Sequence, residues 1–263
     1  MFTQAQKIFL SLIGGARKTF ILLRALEDSL YPEEKKVLDK NMTLIEAFIE
    51  NYRKEECMVT IFQEGKNGKR WRFSPQYDGE PFLRREVWPL IDLVSTVSVT
   101  PKLGSLLLKL AHRLQCRFVL EIGTAHGISS SYILQGLLLA GGGYLHTIEK
   151  IPQLAFCIHK MLSSFPADRW TLFSGDALEI LMIENTPISK KYDLVFVDAL
   201  HQKRFNIKLF NILLKIVSTN CVFVFDDIRQ SPAMIETWQE IRRNSRVLFA
   251  KEFNERFGII IVS

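Results

Sequence analysis

The sequence predicts an α/β fold with a doubly wound seven-stranded sheet whose last strand is antiparallel, preceded by a mainly helical N-terminal region. Three observations carry this. From Arg117 onward, short apolar runs alternate with stretches of helical spacing, the pattern of successive βαβ units and a parallel sheet. Five of those runs end at a carboxylate: Glu121, Glu149, Asp176, Asp198 and Asp226. The last two runs are joined by a loop too short for a crossover, so a pairing between them must be antiparallel.

Residues 1–99 form the first region. Ile8 to Leu26 is rich in Ile, Leu and Phe, but Arg17, Lys18 and Arg24 interrupt it, so it fails as a membrane span and reads as an amphipathic helix. Tyr31-Pro32-Glu33-Glu34 has the form of a helix start, with proline in the first turn and acids at the positive end of the dipole. Leu38, Met42, Ile45 and Ile49 then recur at helical spacing up to about Lys54. These apolar faces need cover, on the body of the protein or at a homodimer interface. Met58 to Phe62 and Arg70 to Phe73 flank an Asn67-Gly68 turn and read as a hairpin. Residues 74–101 read as an irregular connection, and Leu103 to Leu114 as a helix entering the second region, 100–263.

In that region the expected strands are Phe118–Ile122, Tyr144–Ile148, Trp170–Phe173, Leu194–Val197, Val222–Phe225, Val247–Phe253 and Gly258–Val262. The expected helices cover 129–139, 152–164, 177–184 and 203–217, and Ser231-Pro232 opens another as N-cap and first-turn proline.

Composition excludes several classes. The 263 residues are 48% hydrophobic and 24% charged, a globular balance. Cys57, Cys116, Cys157 and Cys221 stand far apart with no CxxC pair, which argues against a zinc cluster or a secreted disulfide framework and for a cytoplasmic protein with reduced thiols. The net charge of +6 is spread along the chain, so no nucleic-acid partner is expected.

Ligands of an open α/β sheet lie outside the carboxyl ends of its strands. The first strand ends in Glu121-Ile122-Gly123-Thr124-Ala125-His126-Gly127-Ile128-Ser129, where Gly123 and Gly127 permit a tight turn against a ligand. Ala125 stands where a dinucleotide fingerprint wants its second glycine, and the Gly-Lys-Ser/Thr of a P-loop is absent. A carboxylate at Glu149 can accept two hydrogen bonds from a ribose diol. Helix capping alone explains one such acid well and five poorly.

These residues resemble the motifs of class I S-adenosylmethionine-dependent methyltransferases, with a Rossmann-like sheet, and are most similar to the O-methyltransferase branch. Phe118 to Ser129 looks like the first motif; Gly175-Asp176-Ala177, Tyr192 to Asp198 and Val224 to Ile228 match later motifs in order. The resemblance covers about residues 100–263. It implies a methyl transfer from S-adenosylmethionine to a small-molecule acceptor at an oxygen. It implies a cofactor site of Glu121, Gly123, Thr124, Gly127, Ser129, Glu149, Asp176 and Ala177. Metal-dependent members hold Mg²⁺ at positions matching Asp198, Asp226 and Asp227, and Asp198 would act in catalysis. Asp227 departs from the usual Asn, and His201 follows Asp198 by three residues, so a metal-dependent route and one with His201 as general base both stay open. His126 would shape the cofactor loop, while His112, His146 and His159 read as structural. A nucleotide-binding oxidoreductase and a non-catalytic S-adenosylmethionine-binding module are the alternatives.

Overall fold

The computed structural model describes residues 17–19, 21–22, 24–25, 29–54, 58–64, 83–89, 98–183, 191–253 and 255–263. The described residues of 17–25 are helical, and Leu22 and Ala25 are buried. Helix α1 spans Pro32–Lys54 and begins as its sequence requires, with Pro32 first and the Tyr31 amide donating to Glu34 Oε2 at 2.8 Å.

Strand β1 (Met58–Glu64) forms where expected, but its antiparallel partner is β2 (Leu83–Pro89), inside the stretch read as an irregular connection. Charges at Arg84, Arg85 and Glu86 hide that strand from a reading of apolar alternation. The Asn67-Gly68 turn and Arg70 to Phe73 lie outside the described residues.

Helix α2 (Pro101–Arg113) is capped by Thr100, whose Oγ1 accepts from the Leu103 amide at 3.3 Å. It leads into the main sheet, whose strands are β3 (Phe118–Ile122), β4 (Tyr144–Glu149), β5 (Trp170–Ser174), β6 (Tyr192–Val197), β7 (Val217–Phe225), β8 (Val247–Phe253) and β9 (Phe257–Val262). Their order is β5-β4-β3-β6-β7-β9-β8, with β9 antiparallel to both of its neighbours and the rest parallel. The order reverses between β3 and β6, the place where such sheets open a crevice. The helices between are α3 (Ile128–Leu139), α4 (Ala155–Leu162), α5 (Ala177–Met182), α6 (Lys203–Leu213) and α7 (Pro232–Ile241). Ser231 caps α7, its Oγ accepting from the Met234 amide at 3.2 Å.

The chain was expected to stay helical to residue 217, where β7 already begins. The pairing of β6 with β7 shifts register between Tyr192 and Leu194, and Asn220 takes φ 63°. That irregularity breaks the period-two pattern over 217–221 and conceals the first half of the strand.

Two apolar layers follow from strand alternation. Val119, Phe196, Val222, Val224, Ile259 and Ile261 face one layer with α1 to α4; Leu120, Val195, Phe223, Phe225 and Ile260 face the other with α6 and α7. Ile45 and Phe48 of α1 belong to the first layer, so this N-terminal helix shares the core of the main sheet. No helix among the described residues is long and apolar enough to cross a membrane.

A buried ion pair fastens α1 to α2. Glu34 is fully buried and accepts from Arg113 Nε at 2.8 Å and Arg113 NH2 at 2.7 Å, with His112 Nδ1 3.0 Å away. Burial alone would raise the Glu34 pKa, but bonds from Arg113, the Tyr31 amide and His112 hold it below the ordinary carboxylate value. Arg113→Ala strands that carboxylate and should cost about 3–5 kcal/mol at pH 7 in urea denaturation. The folded pKa lies below the unfolded one. The stabilisation is therefore present above the unfolded value of 4.5 and lost as pH falls through the folded value, so the mutant deficit should shrink in acid.

Candidate functional site

The loop after β3 is shaped by a backbone collision avoided. Gly123 has φ +92°, and an ideal Cβ there would lie 1.9 Å from the Asp198 carbonyl oxygen. Only glycine lets this loop lie against the end of β6. Three further bonds extend the ladder past the strand ends: Gly123 N to Ile148 O at 2.9 Å, Asp198 N to Ile122 O at 2.9 Å and Asp226 N to Val197 O at 3.0 Å.

Beneath the loop, Glu121 is fully buried. It accepts from Thr147 Oγ1 at 2.7 Å and from the Ser130 hydroxyl, while its Oε1 has no hydrogen-bond partner among the described residues. Burial raises its pKa to about 7 against the pull of hydroxyl bonds from Ser129, Ser130 and Thr147. Thr124 Oγ1 lies 2.5 Å from Thr147 Oγ1. Glu149, also buried, accepts from the Ala125 and Ile151 amides, each at 2.8 Å, which ties the end of β4 to the glycine loop. Burial raises its pKa as well, opposed by backbone amides. Asp176 caps α5 by accepting from the Leu178 amide at 2.9 Å and pairs with Lys150 Nζ at 3.3 Å; Ala177 is buried beside it. Gly127 stands as the N-cap of α3 with φ 82°.

The acids after β6 and β7 do not share one centre in the way expected. Both oxygens of Asp226 accept from Arg256, Oδ1 from Nε and Oδ2 from NH2, each at 2.8 Å. The atoms that do converge belong to Asp198, Asp227 and His201, with one donor atom from each lying within 4.8 Å of the others. His201 Nε2 is 3.9 Å from Asp198 Oδ1 and 3.6 Å from Asp227 Oδ2. The Asp198 pKa is raised well above the ordinary value, first by burial and then by Asp226 and Asp227. Asp227 is raised to about 6 by burial and by Asp226, and burial pushes His201 down to about 4.

One small cavity joins the halves. It is lined by Ser98, Val99, the Gly123–His126 loop, Ile128, Ser129 and Asp198. Ser98, Thr147, Ser130 and Arg256 escaped the reading of the sequence. Thr147 was within reach, since it precedes Glu149 by one strand period and pairs in register with Glu121. Arg256 carries no local signal.

The protein family described as a methyltransferase domain matches residues 120–228. A catechol O-methyltransferase of Mycobacterium tuberculosis is 32% identical over 134 residues, which cover 50% of this chain and 57% of that protein. The chain spans about half the length of the curated relatives it matches. Among solved structures, an O-methyltransferase of Streptomyces achromogenes involved in tomaymycin synthesis, in complex with S-adenosylmethionine, aligns with TM-score 0.54 and 26% identity over 64% of this chain and 82% of that one. An O-methyltransferase of Bacillus cereus in complex with S-adenosylhomocysteine shares the fold at TM-score 0.56 and 23% identity, over 66% and 90% of the two chains.

The crowded carboxylates set a pH test of stability. Asp227 has a folded pKa of about 6 against 3.8, so its charged form destabilises the fold above about pH 6 and costs nothing once protonated in both states. In chelator-treated buffer, Asp227→Asn should raise the melting temperature at pH 7–8, with the gain fading toward pH 4.

Proposed function

We propose that this chain, which carries a class I S-adenosylmethionine-dependent methyltransferase domain, moves a methyl group from S-adenosylmethionine to an oxygen of a small molecule. The observation that carries this reading is the shared cavity. It sets the Gly123 loop, against which the cofactor would lie, directly on Asp198 and its neighbours His201 and Asp227. Residues 100–263 would form the catalytic domain, with residues 1–99 supporting it.

The residues fit the cofactor. The unpartnered Glu121 Oε1 lies under the loop, ready for a cation such as an ammonium group. Glu149 has spare lone pairs beyond the two amides it accepts, suited to ribose hydroxyls. Asp176 and Ala177, at the next strand end, would face the adenine. Thr124, Gly127 and Ser129 complete the cradle around Gly123.

The expected Mg²⁺ set of Asp198, Asp226 and Asp227 does not fit, because Arg256 occupies both oxygens of Asp226 and the third converging donor is an imidazole. Mg²⁺ wants near-octahedral oxygen ligands. The protein's own groups therefore carry the proton. Bound against the Gly123 loop, S-adenosylmethionine would supply a methyl group on a sulfonium for in-line displacement by the acceptor oxygen, with the thioether as leaving group. His201, kept neutral by burial, takes the acceptor's proton, and the Asp227 carboxylate beside Nε2, ionised above about pH 6, stabilises the imidazolium so formed, with Asp198 lining the same site. Asp226 and Arg256 fix the loop that carries Asp227. Gly123 and the buried loop position the reactants, which supplies much of the rate in a displacement of this kind. A cytoplasmic setting suits the buried free thiols of Cys116, Cys157 and Cys221.

Titration calorimetry should show S-adenosylhomocysteine binding to the wild type, and Glu149→Ala should weaken it by roughly 1–3 kcal/mol. Unchanged affinity removes Glu149 from the site. With a catechol-like acceptor, His201→Ala should lower turnover roughly 10²-fold while EDTA leaves the wild-type rate intact. A rate abolished by EDTA and restored by Mg²⁺ would overturn the metal-free route.

A further inference from the structure

Folding gathers positive charge, spread along the sequence, into a stripe on one helix. Arg204, Lys208 and Lys215 stand at i, i+4 and i+11, with Asn211 between them at i+7, which is one face of α6. The turn after α6 continues that face, the Lys215 amide donating to the Ile212 carbonyl at 3.0 Å. All three cations are exposed, and among the described residues no carboxylate pairs with any of them. Lys191 adds a fourth at the far end, its Nζ donating to the Lys215 carbonyl at 2.8 Å. Lys203, at the near end, is by contrast satisfied by Glu236 at 3.2 Å and Glu240 at 3.3 Å. The stability of the helix does not explain the stripe. Arg204 stands in the first turn, where the dipole disfavours a cation and where no acid offsets it. Arg204 and Lys208 are also like charges four residues apart, which repel.

These cations rim a shallow surface groove of about 600 Å³ along the outer side of α6. Ile207 and Ile212 lie in it, both half-buried, so an apolar strip runs between the charges. Among its lining residues the one acid is Glu240, which Lys203 already holds. The chemistry of the groove selects the class of partner. It contains no aromatic ring on which a nucleic-acid base could stack. Its isoleucines are recessed, whereas a membrane surface requires apolar side chains that protrude. From Arg204 to Lys215 the stripe is roughly 16 Å long at the helical rise, about three turns. A helix of that length with carboxylates beside an apolar face complements both the charges and the strip.

We propose that this groove docks an acidic amphipathic helix of a partner protein. The apolar side chains of that helix rest on Ile207 and Ile212, and its carboxylates pair with Arg204, Lys208 and Lys215. The near end of the groove lies two residues beyond His201, which brings the partner to the sheet edge that carries the methyl-transfer site proposed above. Docking itself is independent of the cofactor reading.

The probe is a synthetic fluorescein-labelled helical peptide of about 18 residues, long enough to hold a helix, with Glu at i, i+4 and i+11 and Leu on the adjoining face. Fluorescence anisotropy with the full chain should show it binding at least about tenfold more tightly than a peptide with Gln for each Glu, or than a scrambled peptide of the same composition. A peptide with Ser for each Leu should bind roughly tenfold more weakly than the probe. Combining Arg204→Glu with Lys208→Glu should weaken binding of the probe at least about tenfold. It should not lower the melting temperature, because an acid in the first turn suits the dipole. Lys215→Glu should weaken binding to a smaller extent, and it carries the test if the double variant does not fold. No binding of the probe, equal binding of the Gln or scrambled peptide, or unchanged affinity in these variants overturns the proposal. So does tighter binding to a single-stranded oligonucleotide, or to vesicles of phosphatidylserine and phosphatidylcholine, that the same substitutions abolish; the stripe then serves a nucleic acid or a membrane.

Discussion

The site depends on one crossing of two backbones. Where the loop after β3 passes the end of β6, the Asp198 carbonyl occupies the space that a side chain at Gly123 would need. Hydrogen bonding continues beyond the strands on both sides, so Asp198 is held by Ile122 and Gly123 by Ile148. The glycine loop and the acid after β6 are therefore positioned by the sheet itself, with no contribution from flexible side chains. Each element further out is located relative to that crossing: Glu149 by the amide of Ala125, and Asp226 by the carbonyl of Val197.

The same crossing concentrates negative charge. Three aspartates meet at the ends of β6 and β7, where burial penalises the ionised forms of Asp198 and Asp227. The protein meets this in two ways. Arg256 neutralises Asp226 through two parallel bonds, and its pKa is raised as a result. Asp198 and Asp227 instead hold their protons to higher pH, next to an imidazole that burial keeps neutral. Proton-accepting and proton-holding groups thus lie side by side, an arrangement typical of acid–base chemistry.

The parts legible in the sequence were those with local causes. The Ser231 cap, the Pro32 helix start and the apolar runs of β3, β4 and β6 each depend on a few adjacent residues. The acids at the strand ends could be placed because strand ends are where the chain leaves the sheet. The partner of β1 could not, since pairing is a long-range choice and the charges of β2 mask its period. Arg256 lies 30 residues from Asp226, and Arg113 lies 79 from Glu34. Nothing in either neighbourhood announces a bond that only the folded topology creates. The irregularity at Asn220 concealed half of β7 for a related reason, because the register shift exists only in the pairing of β7 with β6.

Helix α1 also constrains how the chain matures. Its anchors are distant: Asn41 Nδ2 donates to Ser131 Oγ 90 residues later, the Tyr132 hydroxyl lies against Met42 Sδ, and Arg113 closes on Glu34. On the ribosome α1 emerges early and finds none of these surfaces. Ile45 and Phe48 remain uncovered until α2 and α3 have been made, an interval in which a chaperone or a neighbouring nascent chain can reach them. Synthesis order and structural order run opposite here: α1 is made before the surfaces that secure it, and it docks directly behind the helix whose first turn borders the cavity at Gly123 and Asp198.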